Sequence, residues 1–349
     1  MSGIEAQTAG MRIVVLGAGS IGCYVGGALA AAGADVVLVG RARMQARILA
    51  HGLILTDATG AAATLAADRV QFTQDPSVLA SADLVLVTVK SADTDTAAAL
   101  VTRHASAEAL VLSLQNGVGN VERLRVRAPG DAAGPHVLAG MVPFNVVQLD
   151  GGRLHRGTAG ELMVEASPRL APWLPLFARA RLPLQERANF TAIQWGKLLI
   201  NLNNGINALA GIPLQQQFSQ RGYRRCLAAL IDEGRTILEA AGIHPAKVVK
   251  LGPRMLPHVL RLPDFLFRRV AAPMLKIDPE ARSSMWEDLE AGRRTEVDYL
   301  NGAIVTVAER IGRGAPCNAR MVALIRAAEQ GARAPIDGDR LYRMLTRAG

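Results

Sequence analysis

The chain has 349 residues, half of them apolar and a fifth charged, with a formal net charge of +9. It is too long for one small module and too apolar for a disordered chain, since a single core stops growing at roughly 250–300 residues, so two folded domains are expected. Three widely separated cysteines, Cys23, Cys226 and Cys317, exclude a disulfide scaffold; with only 3 Trp, 4 Tyr and 7 Phe and with scattered arginine pairs, no nucleic-acid surface is expected.

The positive balance is read instead as attraction for anionic substrates and cofactors. No basic head with an apolar middle and a small-residue cleavage site opens the chain, so a cytoplasmic protein is expected. The first ten residues are set aside as a loose polar extension.

Residues 14–34 carry no charge over 21 positions, which satisfies a crude membrane-span window. The period nevertheless changes halfway. Arg12-Ile13-Val14-Val15-Leu16 is a β-branched-rich run of the buried parallel type, Ile21 to Ala32 reads as an Ala- and Gly-rich helix closed by Gly33, and Asp35 to Val39 is a second strand. Strand, turn, helix and strand exclude a membrane span.

Inside that unit, Gly17-Ala18-Gly19-Ser20-Ile21-Gly22 has the G-x-G-x-x-G spacing. The first glycine permits the turn, the second lets a pyrophosphate approach the backbone, and the third lets helix pack on sheet; the helix N-terminus holds the phosphate. An NAD site usually places a carboxylate at the end of the second strand, and here that strand runs into Gly40-Arg41, with Arg43 beyond. A guanidinium there suits a 2′-phosphate, so NADP(H) is expected, with Arg41 as its reader; a solvated loop arginine is the plainer alternative.

Leu84 to Val89 is another buried-type strand, ending at Lys90. The run 110–114 is one more, ending at Gln115-Asn116-Gly117. Doubly wound sheets place ligands at such carboxyl ends, although Asn-Gly is also an ordinary turn pair.

From about Ala188 the pattern becomes helical. A helix is expected over Phe190 to Asn204, where Lys197 and Asn201 stand four apart on one face. Burial of that face lowers the lysine pKa and suits proton transfer; a lysine snorkelling from a half-exposed helix fits the same pattern. Arg221 to Ala241 is a further helix, and five prolines break Leu251 to Asp278 and its flank into pieces, as a cover over a cleft or an oligomer surface. Ser284-Met285-Trp286-Glu287 has capping-box spacing, and Thr295 to Arg313 is the last long helix of this region, with Glu296 at its start. A first-turn carboxylate also suits the helix dipole by itself. The six histidines show no H-x-x-H spacing, and no metal is expected.

These segments together resemble the ketopantoate reductases (2-dehydropantoate 2-reductases) over most of the chain, from about Met11 to Glu329. The matching pieces are Ile13 to Gly22, Val87 to Lys90, Leu114 to Gly119, Trp195-Gly196-Lys197-Leu198 with Asn201, Ser283 to Leu289, and Thr295 to Gly302. The resemblance implies an α/β fold: a Rossmann-type dinucleotide-binding domain over 11–187, then an all-helical domain of the 6-phosphogluconate dehydrogenase C-terminal type over 188–349, with the site in the cleft between. It implies reduction of 2-dehydropantoate to (R)-pantoate with NADPH, a step toward pantothenate and coenzyme A. By the same resemblance Lys197 is the general acid and Glu296 the carboxylate that holds the substrate hydroxyl. Asn116 lies by cofactor and substrate, Lys90 is the strand-end lysine, and Asn201 and Ser284 contact substrate. The expected partners are a small 2-oxo acid and a second copy in a homodimer, with neither nucleic acid nor membrane.

One departure stands out. Members often carry another asparagine two helical turns past the lysine, and here Gly205 takes that place, with Asn204 and Asn207 beside it. Either a local helix distortion lets a neighbour substitute, or the pocket takes a different 2-oxo acid. Arg293 and Arg294 are candidates for the substrate carboxylate. A non-catalytic NADP(H)-binding regulator with the same fold is the reading from another functional class.

Overall fold

Short β-branched runs punctuated by glycine build the first half of the protein, and long 3.6-period segments the second. The computed structural model describes residues 10–57, 60–125, 134–158, 160–248, 251–271 and 281–347. Its contacts divide the chain into two units, Met1–Phe190 and Thr191–Gly349.

In the first unit the strands are β1 (Arg12–Leu16), β2 (Asp35–Val39), β3 (Leu53–Asp57), β4 (Gly60–Leu65), β5 (Gln71–Thr73), β6 (Leu84–Val87), β7 (Leu110–Ser113), β8 (His136–Met141), β9 (Val146–Gln148), β10 (Arg153–Arg156), β11 (Leu162–Glu165) and β12 (Leu184–Arg187). The helices are α1 (Ser20–Ala31), α2 (Ala42–His51), α3 (Thr94–His104), α4 (Asn120–Arg125) and α5 (Leu174–Arg179). Eight strands form one sheet in the order β12-β11-β8-β7-β6-β1-β2-β5; β4-β3-β10-β9 form a second.

Strands β5, β2, β1, β6, β7 and β8 pair in parallel. Their registers set Leu16 beside Val39 and Val87, and Val87 beside Ser113, so four carboxyl ends line one edge. Every residue of β6 is buried, as a strand covered on both faces must be. Helix α1 lies very close to the sheet because Gly26 has no side chain; a Cβ there would stand 2.6 Å from Leu38 Cδ2. This is the Rossmann-type α/β half expected from the sequence. Strands β6 and β7 end at Val87 and Ser113, shorter by two residues and one than their apolar runs, because Thr88 and Leu114 already turn into loops.

Helices alone make up the described part of the second unit: α6 (Phe190–Asn201), α7 (Asn203–Ala210), α8 (Leu214–Ser219), α9 (Arg221–Ala240), α10 (Leu256–Leu260), α11 (Asp264–Val270), α12 (Ser284–Glu290), α13 (Val297–Arg310), α14 (Pro316–Glu329) and α15 (Gly338–Thr346). The single helix expected over 190–204 is broken at Leu202. Helix α13 is also shorter than the 295–313 run. The capping residue of α12 is Ser283 rather than Ser284: Ser283 Oγ accepts from Trp286 N at 3.2 Å. Within 251–278, the described residues hold α10 and α11, and 272–280 lie outside them.

No helix among the described residues is long and apolar enough to cross a membrane. The cysteines are free. Burial pushes the Cys23 and Cys226 thiols up to about 12 and Cys317 up to about 11.

Candidate active site

The loop from β1 to α1 is shaped by its glycines in three different ways. Gly17 has φ +112°, and a Cβ on it would lie 2.6 Å from Val89 N. A Cβ on Gly22 would meet Gly17 O at 2.4 Å and Thr88 Oγ1 at 2.6 Å. These two glycines are dictated by the protein's own packing. A Cβ on Gly19 would touch nothing nearer than 4.0 Å. The space over Gly19 is therefore left for something else.

Main-chain bonds hold the loop: Gly17 N and Ala18 N both donate to Val39 O, at 3.0 and 2.9 Å, and Gly19 N donates to Gly17 O at 2.7 Å. Thr88 Oγ1 braces it from the loop after β6, donating to Gly17 O at 2.8 Å. Helix α1 starts from Gly19 with no side-chain cap and no acidic residue in its first turn. Ser20 and Ile21 belong to that turn, where free N–H groups and the positive helix end suit a phosphate. This fits a dinucleotide pyrophosphate. Arg41 is the N-cap of α2, at the end of β2; its side chain is 88% exposed and meets Asp93 at 3.4 Å.

Lys90 and Asn116 sit in the loops after β6 and β7, on the same edge. Lys90 is exposed and Asn116 half-buried. A buried polar network locks these loops together, and the sequence analysis gave Ser91, Thr94, Gln115 and Asn120 no role in it. Ser91 Oγ donates to Asn116 O at 3.0 Å, and Asn120 Nδ2 donates to the same oxygen at 2.7 Å. Thr94 Oγ1 donates to Asn120 Oδ1 at 2.9 Å. Gln115 Nε2 donates to Val89 O at 3.1 Å and to Thr94 Oγ1 at 2.8 Å. With every partner satisfied, such a network rigidifies the edge. Only the dense run of Ser, Thr, Gln and Asn after two apolar strands could have signalled it.

The second unit holds a separate cluster of candidate residues. Helix α6 presses on the chain at Ala246 through Gly196, where a Cβ would lie 2.2 Å from Ala246 O. Leu199 of α6 and Ile304 of α13 both pack against Gly234 of α9. That shared seat brings Lys197 of α6 and Glu296, the N-cap of α13, into electrostatic contact. Burial pushes the Lys197 ammonium down to about 8, and the charge of Glu296 pulls it back up. The side chain is half-buried, so water reaches part of it. Glu296 makes no side-chain cap hydrogen bond; Thr295 Oγ1 accepts from Val297 N instead, at 3.3 Å. The Glu296 carboxylate is thus not spent on capping the helix.

Asn201 lies one turn from Lys197 and is half-buried, while Ser284, the first residue of α12, is exposed. Of the two asparagines beside Gly205, Asn207 is fully buried and committed. Its amide donates to Ile212 O and Gln217 Oε1, each at 2.9 Å, and accepts from Ser283 N at 2.8 Å. Asn204 is half-buried, and its main-chain oxygen accepts from Ser283 Oγ at 3.2 Å. Arg293 is taken by Asp288 at 3.0 Å, and Arg294 is exposed.

Residues 13–169 match the family model of ketopantoate reductase PanE/ApbA, and residues 189–329 match that of its C-terminal part. A 2-dehydropantoate 2-reductase of Halobacterium salinarum is 32% identical over 327 residues, spanning 92% of this chain and 99% of its own. A second, from Pyrococcus horikoshii, is 29% identical over 91% of this chain and 98% of its own. Among solved structures, a PanE/ApbA family ketopantoate reductase from Ralstonia eutropha superposes with a TM-score of 0.76 at 31% identity, covering 92% of this chain and 99% of that one. A D-mandelate dehydrogenase, solved with NADH and anilino(oxo)acetate, shares the fold at a TM-score of 0.72 and 17% identity over 92% of this chain and 99% of that one. Matched in order by both models of one family, the chain belongs to the ketopantoate reductase PanE/ApbA family of oxidoreductases.

Proposed function

We propose that this protein reduces 2-dehydropantoate to (R)-pantoate with NADPH, in the route to pantothenate and coenzyme A, with Lys197 as general acid. The carrying observation is the half-buried Lys197 in electrostatic contact with Glu296, an ammonium that burial lowers to about 8 and so within reach of proton transfer. A reduced nicotinamide bound at the first unit supplies the hydride. Hydride arrival at a ketone builds negative charge on oxygen; a pre-aimed ammonium stabilises that charge and then gives up its proton. Glu296 keeps the ammonium charged and accepts the substrate hydroxyl, while Asn201, Ser284 and Asn116 hold the remaining polar groups. Gly17, Ala18, Gly19, Ser20, Ile21 and Gly22 cradle the pyrophosphate, and Lys90 stands by the cofactor.

For the 2′-phosphate we propose Arg41. It is the cation at the end of β2, and its existing partner, Asp93, holds it only at 3.4 Å. Arg41→Ala is expected to weaken NADPH binding by roughly tenfold, about one exposed charge-assisted bond, and NADH binding hardly at all. Titrating both cofactors by fluorescence checks this; equal losses would remove Arg41 from phosphate recognition.

A second reading, reduction of another 2-oxo acid, is favoured by Gly205. A Cβ there would stand 2.9 Å from Met321 Sδ, so this position leaves no room for an amide unless Met321 shifts. An NADPH-oxidation assay over a panel of 2-oxo acids separates the readings. The highest kcat/KM is expected for 2-dehydropantoate. A tenfold preference for another oxo acid selects the second reading, and NADPH binding with no turnover on any of them overturns both.

A further inference from the structure

The first unit contains a concavity that the proposed chemistry does not use. It is a cleft of about 250 Å3 between the α1 face, the β3–β4–β10 part of the second sheet and the turn after α5. At about 30 Å3 per water, that holds roughly eight waters, or a compact organic molecule. One wall is aliphatic: Ala28, Ala31, Ala32, Leu55 and Leu182. The cleft runs down α1 to its carboxyl end, about 16 Å along the helix from Ser20 and the dinucleotide turn.

Arg156, Arg179 and Arg181 line the same cleft against a single carboxylate, Asp57. Arg156 donates through Nε to Thr158 O at 3.2 Å and through Nη2 to Gly160 O, and it lies over the Phe144 ring. These partners fix its position without neutralising it. Arg181 reaches Asp57 only at 3.9 Å and is 63% exposed. Arg179 is exposed.

Arg181 is also the only non-glycine residue with positive φ among those described, at 59°. Its N–H donates to Ala178 O at 3.0 Å and Leu182 N donates to Phe177 O at 2.9 Å, which makes it the left-handed residue of the turn closing α5. Glycine is the usual occupant of that position because a Cβ is strained there. The arginine adds a guanidinium at the cleft in exchange for that strain, and residues held in strained conformations cluster at ligand clamps.

We propose that this cleft is a second ligand site, separate from the dinucleotide turn, for a small organic anion carrying one carboxylate or phosphate on a short aliphatic body. The alanines and leucines cover the body, and the arginines take the charge.

The test uses the full chain titrated calorimetrically with 3-methylbutanoate, isobutyl phosphate and neutral isobutanol, in parallel with the double variant Arg179→Ala/Arg181→Gly. The expected result is saturable binding of at least one anion and none of the alcohol, with which anion binds identifying the headgroup. The double variant is expected to lose tenfold or more in anion affinity. Its thermal midpoint should equal or exceed that of the parent, because glycine relieves the strained turn, and its NADPH affinity should not change. Asp57→Asn, which removes the competing carboxylate, is expected to tighten the anion. Binding of equal strength in the double variant, competition by NADPH, looser binding by Asp57→Asn, or no binding of either anion overturns the proposal. In those cases the arginines are solvated charges near the end of α1.

Discussion

Lys197→Ala is expected to lower kcat by about 100- to 10,000-fold, the usual contribution of a positioned general acid, while leaving NADPH affinity nearly unchanged. The two effects separate because the lysine is on a helix of the second unit and the dinucleotide turn belongs to the first. Stopped-flow NADPH oxidation and a cofactor titration check both halves, and a variant of normal activity removes Lys197 from the mechanism. The pH profile follows from the same geometry. With the protonated amine as the proposed donor, kcat is expected to hold below about pH 8 and to fall as pH rises through the folded value of about 8. Glu296→Gln removes the charge that raises that value, so the fall moves to lower pH; an unmoved profile would return Glu296 to a mere first-turn charge.

The sign for stability is opposite. An unfolded lysine titrates near 10.5 and the folded one near 8, so between these values the unfolded chain holds more protons. Stability therefore rises with pH across that window, the cost of the partly buried ammonium being largest below it. Lys197→Met abolishes this slope in urea titrations at pH 8 and pH 10.

Arg224→Ala is the substitution expected to destabilise the protein most, by about 3–5 kcal/mol, the usual cost of deleting a large buried side chain. Arg224 is fully buried. It donates to Leu260 O at 3.2 Å, Phe218 O at 2.9 Å, Leu262 O at 2.8 Å and Asp264 Oδ1 at 2.9 Å, and it stacks on Phe267 at 4.1 Å. One side chain of α9 thus ties down α10, α11 and the end of α8. Alanine leaves the carbonyls of Leu260, Phe218 and Leu262, the first of them buried, without this donor and opens a large cavity. Arg224→Lys recovers little, because a point charge cannot serve four acceptors in one plane. Asp264→Ala should cost less: it strips the buried guanidinium of its counter-charge but leaves the three carbonyl bonds intact, and the carboxylate itself is 46% exposed. Urea midpoints order the three variants, and proteolysis within 251–271 should appear first in Arg224→Ala. Equal losses for Arg224→Ala and Asp264→Ala would show that the ion pair, and not the carbonyl anchor, holds the segment.

The Rossmann half was legible because its signals are local: five-residue β-branched strands, a glycine turn and a helix follow one another within 30 residues. Lys197 and Glu296 were readable as candidates from helix phase and residue type. Their proximity was not, since it depends on Leu199 and Ile304 meeting at Gly234, three segments far apart in the chain. The break at Leu202 was invisible for the same reason. Residues 190–204 keep an unbroken helical period, and the interruption comes with α7 being fixed by the bonds of Asn207 to Gln217 and Ser283. Ser283 and Ser284 are adjacent and equally good caps on paper; the Asn207 bond to Ser283 N decides between them. Arg224 shows the same limit, because its acceptors Leu260 and Leu262 and its ring partner Phe267 lie 36 to 43 positions away.

The sulfur chemistry of the molecule follows from its packing. A thiol must ionise to attack an alkylating reagent or an oxidant. With Cys23 and Cys226 held near 12 and Cys317 near 11, the ionised fraction at neutral pH is on the order of one part in ten thousand or less. The thiols of the native protein should therefore resist iodoacetamide and mild peroxide without a reducing agent. Labelling at Cys23 and Cys226 should begin only as each unit opens, and mass spectrometry then times the unfolding of the two halves independently.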